Sequence, residues 1–592
     1  MKKVVILIAS IFFCHVIYGQ ETVNQPVINY PTEDIKVHLT QTCLFPGEVM
    51  GFKIYCTNPL FPGLELSRMA FIELVSDRNV SILRKKILLE HGAGRGEFIL
   101  PDDLSSGIYT VLTYTNWLKN FGEGFFNRQR VTIINPDQGL AEVSDTSDRF
   151  RNDPPVRGAN DRFSFGITLL PDKKQYAKRE KVSIKVQLKQ GGGEVAEGSF
   201  SVSVCRTEPA FGREQSEILG RSPAKEIKEI EYLPDFRGIR LTGKLEDASG
   251  NAIKGGRVIL SEPGPGTRIS STLSDNEGNF HFLLQPQEGE RDLVFTKPGS
   301  DAIIKLEEPF WNGFRNPPVH QELCLHDNTV SFLEEKFFHF QLQRKFNQSN
   351  FLESRQSESN RVDSTSFYTH YSRLIKMEDY ILLDSLPEYF YELVPSVKFI
   401  RSRGKYDIRV LDQLTSADFK EKPGVFVDGV LYSDYDEIAR IPVKEIENIF
   451  ILPEIYYYDD FSFGGFIDLH TKKSDFSTVP LTSNMTRLIY PLASKREIVH
   501  NAPDYTLPDT RSRIPDFRYL ICWDPDVTIG ASGEKTIQFF TGDVSGDFTV
   551  KVTGISPQGR IVQSETRIIV GIEPGKEHEQ KGSLSLLTNM KL

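Results

Sequence analysis

The chain has 592 residues, of which 39% are hydrophobic and 11% aromatic, and its formal net charge is −10. This length is too great for one hydrophobic core, so we expect several domains, and the apolar content excludes a largely disordered chain. The acidic balance argues against nucleic acid as a partner, because surfaces that bind nucleic acid are basic.

The amino terminus has the features of an export signal. Two lysines precede an apolar run, and Gly19 offers a small residue at a cleavage position, which predicts a signal peptide over residues 1–19. The alternative is a lipoprotein signal acylated at Cys14, but Phe13 is bulky where that signal uses a small residue. No later segment has the roughly 20 apolar residues of a spanning helix. We therefore expect an exported protein of the cell envelope without a helical anchor.

The next segments predict two β-sandwiches separated by a linker. Residues 33–136 alternate apolar and polar side chains between regularly spaced turns. The words LFPGEVMGFKIY, GEFILPDDLSSGIYTV and RQRVTII resemble the macroglobulin-like sandwich of α-macroglobulins. Residues 137–161 are rich in Asp, Ser, Asn, Pro and Gly and predict a linker. Residues 162–236 resemble a second macroglobulin-like sandwich, with Lys-Arg-Glu in place of Pro-Gly-Glu at its turn.

Residues 237–310 predict a compact β unit with turns at Ser249-Gly250-Asn251 and Asp275-Asn276-Glu277-Gly278. The pattern GKLEDASGNAI…SDNEGNFHF resembles the carboxypeptidase regulatory-like sandwich. Asp275 and Glu277 supply too few oxygens for Ca²⁺ at this spacing, so we expect a plain turn and no metal.

Residues 311–375 predict a helical and polar connector, with one amphipathic helix starting near Ser331. The polar face of this helix is mixed in charge rather than basic, which favours packing against protein over lying on a membrane. The predicted packing face consists of Phe332, Leu333, Phe337, Phe338, Phe340 and Leu342.

Residues 376–475 predict a small α+β unit. A strand ends in the turn dipeptide Asp428-Gly429, an amphipathic segment follows, and Gly464-Gly465 precedes a last strand over residues 466–470. The words FVDGV, IPVKEIENIFIL and GGFIDLHTKK resemble the plug domain of TonB-dependent outer-membrane receptors. The chain beyond Lys473 is too short for the barrel of such a receptor. The resemblance therefore implies a partner, which we expect to be an outer-membrane protein or protein complex.

Residues 476–592 predict a C-terminal sandwich with a polar tail, and the segment from Phe517 resembles the start of the α-macroglobulin core domain. No cysteine begins the Cys-x-Glu-Gln thioester of α-macroglobulins, which excludes covalent trapping of proteases. The pattern places Cys43 and Cys56 on opposite sides of one predicted hairpin, and the sequence leaves open whether they form a disulfide. For the other three mature cysteines we expect buried free thiols.

Motifs of hydrolases and nucleotide-binding enzymes are absent, so we predict no catalytic residue, no cofactor and no metal site. The predicted fold class is mainly β, with several macroglobulin-like or immunoglobulin-like sandwiches plus one small α+β plug-like domain. The order of these domains resembles that of multidomain exported proteins of Bacteroidota. We expect a non-enzymatic binding or scaffold protein at the periplasmic or surface face of the outer membrane.

Two other functions stay open. One is a non-covalent protease-binding protein of the α-macroglobulin kind, which needs an exposed cleavable loop in residues 137–161 or 345–365. The other is an enzyme whose site has no recognised motif.

Overall fold

The computed structural model describes most of the chain between residues 30 and 571. The described ranges are 30–138, 166–189, 197–209, 230–297, 302–313, 327–345, 352–356, 366–368, 370–381, 383–412, 415–458, 461–494, 496–500, 503–506, 514–556 and 559–571. They contain 33 strands and three α-helices, numbered below along the chain. The mainly β fold class with several sandwiches is confirmed.

Unit A (residues 30–138) is a sandwich of two sheets. Its strands are β1 Asp34–Leu39, β2 Cys43–Leu44, β3 Val49–Thr57, β4 Met69–Val75, β5 Ser81–Leu88, β6 Ala93–Ile99, β7 Gly107–Thr115 and β8 Asn127–Ile133. The sheets have the orders β1-β3-β6 and β2-β8-β7-β4-β5. Strand β4 is paired on both edges and buried along its whole length, so both of its faces are covered.

Unit B combines two distant segments, 166–209 and 514–571. Its strands are β9 Gly166–Pro171, β10 Gln175–Tyr176, β11 Lys181–Lys189, β12 Gly198–Arg206, β30 Leu520–Ile529, β31 Glu534–Phe540, β32 Gly546–Ile555 and β33 Ile561–Val570. They form the sheets β10-β33-β32-β12-β30 and β31-β11-β9. The alternation in β11 (KVSIKVQLK) buries every second side chain, which is why this segment forms a half-exposed strand.

The two sandwiches expected at 162–236 and 476–592 are therefore halves of one sandwich. Strand β12 pairs with β30 on one edge and with β32 on the other. Without the C-terminal half, both edges of this strand would present unpaired backbone groups. The sequence pattern shows that the strands exist, but it does not show that their neighbours lie some 300 residues away.

Unit C is a β-sandwich formed by residues 239–306, with one strand added from beyond unit D. Its strands are β13 Ile239–Glu246, β14 Arg257–Glu262, β15 Arg268–Leu273, β16 Asn279–Leu284, β17 Glu290–Thr296, β18 Ile303–Leu306 and β28 Met485–Pro491. The sheets have the orders β16-β13-β18 and β15-β14-β17-β28. Strand β28 pairs with β17 over seven residues, so the expected boundary at 237–310 leaves out an edge strand.

Unit D (residues 366–481) is the predicted α+β unit. Its elements are β20 Arg373–Lys376, helix α2 Leu386–Leu393, β21 Val397–Ser402, β22 Lys405–Asp412, β23 Ala417–Asp418, β24 Gly424–Val427, β25 Val430–Leu431, helix α3 Tyr435–Ala439, β26 Ile446–Tyr458 and β27 Phe461–Thr471. The main sheet has the order β20-β26-β27-β24-β25, and β21, β22 and β23 form a second one. The hydroxyl of Ser385 caps helix α2 by accepting from the backbone N–H of Glu388.

The expected connector contains helix α1 (Asp327–Lys345) and strand β19 (Leu352–Gln356), which pairs with β29 (Arg496–His500). Helix α1 begins four residues before the predicted start and packs on unit A through Leu333, Phe337 and Phe340. One residue of the predicted packing face is wrong, because Phe338 is 56% exposed. Along the chain, unit D is thus inserted into unit C, and unit C into unit B.

Candidate functional site

The Asp428-Gly429 turn joins β24 to β25 and is held by a single carboxylate. Both residues have positive φ angles, 47° and 83°, as a tight hairpin turn requires. The Asp428 carboxylate is fully buried and accepts from Thr471 N at 2.7 Å, Thr471 Oγ1 at 2.6 Å and Phe476 N at 3.0 Å. The turn is therefore tied to the end of β27 and to the chain leaving unit D.

This turn is docked on unit C. The backbone N–H of Gly264 donates to the carbonyl of Asp428 at 3.0 Å, and a Cβ on Gly429 would lie 2.8 Å from the carbonyl oxygen of Glu262. Only glycine tolerates both this approach and the positive φ. The turn of the FVDGV motif thus faces another domain of the same chain.

A buried polar cluster lies beside the turn, at the junction of units C and D. The Asp468 carboxylate accepts from Thr267 of unit C, from Tyr368 OH at 3.0 Å and from His470 Nε2 at 3.1 Å. Burial lowers the pKa of His470, but the hydrogen bond and charge of Asp468 outweigh burial and raise this pKa above its ordinary value. Aromatic rings surround the cluster, and the Phe450 ring centroid lies 4.7 Å from that of His470.

Unit D also exposes large apolar side chains on surfaces that do not contact unit C. Ile381 is 86% exposed, Tyr391 on α2 is 81% exposed, and Tyr457 near the tip of the β26–β27 hairpin is 74% exposed. The Ile381 carbonyl accepts from the buried Tyr389 of α2 at 2.6 Å, which fixes the loop before this helix. These exposed side chains are accessible to another molecule.

Units A and B meet through a polar interface centred on His38. The His38 ring is fully buried, with Nδ1 2.6 Å from Ser201 Oγ and Nε2 2.9 Å from Ser203 Oγ. Burial is the main cause that holds the pKa of His38 well below its ordinary value, and Lys551 adds to it. Tyr55 also crosses the interface, donating to the carbonyl of Thr553 at 2.8 Å.

A cleft of about 590 Å³ opens at the junction of units A, B and C. Its walls carry charges of both signs, including Glu90 and Glu288, and Asp526 accepts from Lys53 at 2.7 Å and pairs with Arg95. Burial is the main cause that lowers the pKa of Lys53 to about 8. Lys53 and Arg95 both pair with the Asp526 carboxylate, so these three residues present no unpaired charge to a ligand in the cleft.

Helix α1 contributes a buried cation, Lys336, to its contact with unit A. Lys336 Nζ donates to the Cys43 carbonyl at 2.5 Å and lies 3.1 Å from a carboxylate oxygen of Glu48. Burial lowers the pKa of Lys336, but Glu48, Cys43 and Glu208 together raise it above its ordinary value. Glu208 of unit B accepts from the backbone N–H groups of Thr42 and Cys43, so α1 braces the contact between units A and B.

The structure shows the surroundings of several residues that were named from the sequence. Cys43 and Cys56 are free thiols in different clusters, Cys43 against α1 and Cys56 in the core of unit A. Asp275 is a turn residue whose Oδ1 accepts from the N–H groups of Glu277 and Asn279. Within the described ranges, no group of three or more His, Cys, Asp or Glu residues has the geometry to hold a metal ion.

Some predictions fall outside the described residues. These are the signal peptide at 1–19, and most of the two candidate cleavable loops at 137–161 and 345–365. In the part of the chain that is described, no helix is both long and apolar enough to cross a bilayer.

The buried polar residues His38, Lys336 and Asp468 were not predicted from the sequence. The sequence gives a weak indication that Asp468 is buried, because this charged residue lies within the largely apolar segment GGFIDLH. Strand β27 is buried on both faces from Phe463 to Thr471, and a carboxylate there needs donors from other elements. For His38 and Lys336 the donors and acceptors come from distant segments, which no local pattern reveals.

No protein-family model matches the sequence, and no curated protein matches it either. Among solved structures, the chain is similar to Salmonella alpha-2-macroglobulin reacted with methylamine, with 11% identity, a TM-score of 0.23 and coverage of 93% of this chain and 40% of that chain. Escherichia coli alpha-2-macroglobulin activated by porcine elastase has 9% identity, a TM-score of 0.23 and coverage of 91% and 44%. The Yersinia pseudotuberculosis adhesin InvE has 8% identity, a TM-score of 0.13 and coverage of 46% and 58%. The chain thus spans about two fifths of the macroglobulins, and at these TM-scores we derive no function from the likeness.

Proposed function

We propose that this protein is an exported, non-enzymatic binding or scaffold protein of the outer membrane. In this proposal, unit D contacts an outer-membrane barrel or a complex that contains one. The observation that carries the proposal concerns unit D, whose sequence motifs from FVDGV to GGFIDLHTKK resemble those of a receptor plug. This unit folds as one α+β unit and leaves apolar side chains exposed. Fold alone does not give function, so the partner has to be tested directly.

The arrangement of unit D supports one contact surface over another. The Asp428-Gly429 turn is buried against unit C and does not reach a second molecule without undocking. Ile381 and Tyr391 lie exposed on and beside α2. Large apolar and aromatic side chains of this kind are enriched among the residues that dominate protein interfaces. We therefore place the contact at the α2 side of unit D.

Site-specific photo-crosslinking in the native host tests this placement. A photoreactive amino acid at Ile381 or Tyr391 should form an adduct with an outer-membrane protein. The same amino acid at Leu283, a 51% exposed residue of unit C, is the matched control and should form none. Failure of both unit D positions to form an adduct, with the chain recovered among freely soluble envelope proteins, would refute the proposal.

A further inference from the structure

We propose that Thr267, Tyr368, Asp468 and His470 form a pH-sensitive clasp between units C and D. The clasp is closed at mildly acidic pH and loosens as the pH rises. It is a property of this chain itself, so it stands whether or not unit D meets an outer-membrane partner.

The clasp centres on one oxygen of a fully buried carboxylate. Oδ2 of Asp468 accepts from the Thr267 hydroxyl of unit C, from Tyr368 OH at 3.0 Å and from His470 Nε2 at 3.1 Å. Asp468 and His470 lie on β27, and Thr267 lies in the loop between β14 and β15. Three donors from separate parts of the chain thus meet at a single atom, and one of them belongs to the other unit.

Backbone contacts place the segment around Tyr368 in the same junction. The Phe367 N–H donates to the Thr267 carbonyl at 2.7 Å, and the Thr267 N–H donates to Ser366 Oγ at 3.1 Å. The Tyr458 hydroxyl of unit D donates to the Ile269 carbonyl of unit C at 2.9 Å. Opening the clasp would expose these amides and the aromatic side chains packed around them.

The charge balance of the clasp depends on His470. Oδ1 of Asp468 has no hydrogen-bond donor among the described residues, so hydrogen bonds compensate only one of the two carboxylate oxygens. A buried carboxylate is costly unless a nearby cation offsets its charge. The charged groups that act on His470 are Asp468, Asp428 and Glu447, all acidic, and its other close neighbour is the Phe450 ring. The imidazolium form of His470 is therefore the form that this junction favours.

The direction of the pH effect follows from this preference. The pKa of His470 is raised above its ordinary value in the folded chain. The stability contributed by its proton is fully present below the ordinary value of 6.5 and is lost as the pH rises through the raised pKa. Neutral His470 can keep its hydrogen bond to Asp468, but the carboxylate charge then has no buried cation beside it. The contact between units C and D weakens as a result.

Hydrogen exchange of the full-length chain tests the clasp. The amides of Thr267 and Phe367 are followed from pH 6 to pH 9, and each rate is corrected for the intrinsic effect of pH. Protection at both amides should fall with pH, by about tenfold for each unit by which the pKa of His470 is raised. Because glutamine can donate a hydrogen bond but cannot ionise, His470→Gln should make protection independent of pH.

Two further variants keep the result interpretable. His91→Gln replaces a histidine whose side chain is 98% exposed, and it should retain the wild-type pH profile. Tyr368→Phe removes one donor to Asp468 while keeping the ring, so it should lower protection at every pH without abolishing the fall. Wild-type protection that does not change between pH 6 and pH 9 would overturn the proposal. So would a fall of the same size in His470→Gln or, if His470→Gln does not fold, the absence of any fall in Tyr368→Phe, which keeps His470.

Discussion

At the scale of single residues, the shape of unit D depends on carboxylates that collect several donors each. Asp428 accepts from a backbone N–H and a hydroxyl at the end of β27 and from one backbone N–H of the chain that follows it. Asp428 stabilises the turn in two ways. Its backbone adopts the left-handed conformation that the turn requires, and its carboxylate hydrogen-bonds the turn to the end of β27. Asp468 collects three donors in the same way, but across a domain boundary.

Replacing Asp428 with alanine should destabilise unit D strongly. The change leaves the N–H groups of Thr471 and Phe476 buried without acceptors, and each such group costs about 1–3 kcal/mol. We expect a loss of roughly 2–5 kcal/mol in the free energy of unfolding, measured by chemical denaturation.

Asp434→Ala is the matched control for that experiment. Asp434 caps α3 at the surface end of the same unit by accepting from two backbone N–H groups. Loss of a helix cap costs about 1 kcal/mol. Equal losses in the two variants would contradict the special role given to the Asp428 carboxylate.

At the scale of elements, sheets from different units pack through polar as well as apolar faces. The β1-β3-β6 sheet of unit A turns the side chains of His38, Lys53 and Tyr55 towards unit B. Facing strand β12 supplies Ser201 and Ser203, short side chains that let the two sheets approach closely. A neutral imidazole suits this setting, because it can both donate to and accept from hydroxyl groups.

Lowering the pH should weaken the contact between units A and B through His38. Its pKa is well below the ordinary value in the folded chain, so its contribution to stability is complete above about pH 6.5 and is lost as the pH falls below that value. We expect the free energy of unfolding to decrease by up to about 1.4 kcal/mol per pH unit from this residue alone. His38→Gln should remove that slope, as measured by denaturant unfolding at pH 7.5 and pH 5.5.

Two buried carboxyl groups, Glu33 and Asp235, change the free energy of unfolding with pH in the direction opposite to His38. The effect of His38 is therefore read from the difference between wild type and His38→Gln. Burial is the main cause that raises the pKa of both Glu33 and Asp235 to about 7, so their contribution is lost as the pH rises towards neutrality. Both groups are present in wild type and variant, and their effect cancels in the difference. Identical pH dependence of wild type and His38→Gln would show that His38 does not sense pH at this interface.

The elements themselves follow from the sequence better than their partners do. Alternation of apolar and polar residues is visible in the sequences of β11 and β16, and in the structure both strands bury every second side chain. Local patterns report which face of a strand is apolar, but they carry no information on which strand lies beside it. For that reason the halves of unit B, the edge strand β28 and the docking of the Asp428-Gly429 turn on unit C were all missed.

At the scale of the whole molecule, the chain is nested. Unit B opens at β9, is interrupted after β12 and closes only with β30 to β33, while unit C is interrupted by unit D in the same manner. Nesting of this kind ties the insertions to the outer domain at both ends, which restricts how far each can move. It also makes unit B slow to assemble, because its sheet needs contacts between residues far apart in sequence.

The nested order predicts that unit B can be closed without its insertions. Strands β12 and β30 are antiparallel neighbours, and the Arg206 N–H donates to the Tyr519 carbonyl at 2.8 Å, so a short loop can replace the long excursion. A chain joining 166–209 to 514–571 through a few Gly and Ser residues should fold with one cooperative transition, followed by circular dichroism during thermal unfolding. The matched controls are 162–236 and 476–592 expressed alone, which should remain unfolded, because the core of unit B draws side chains such as Ile184 and Val550 from both halves. Cooperative folding of either half by itself would contradict the single-sandwich architecture.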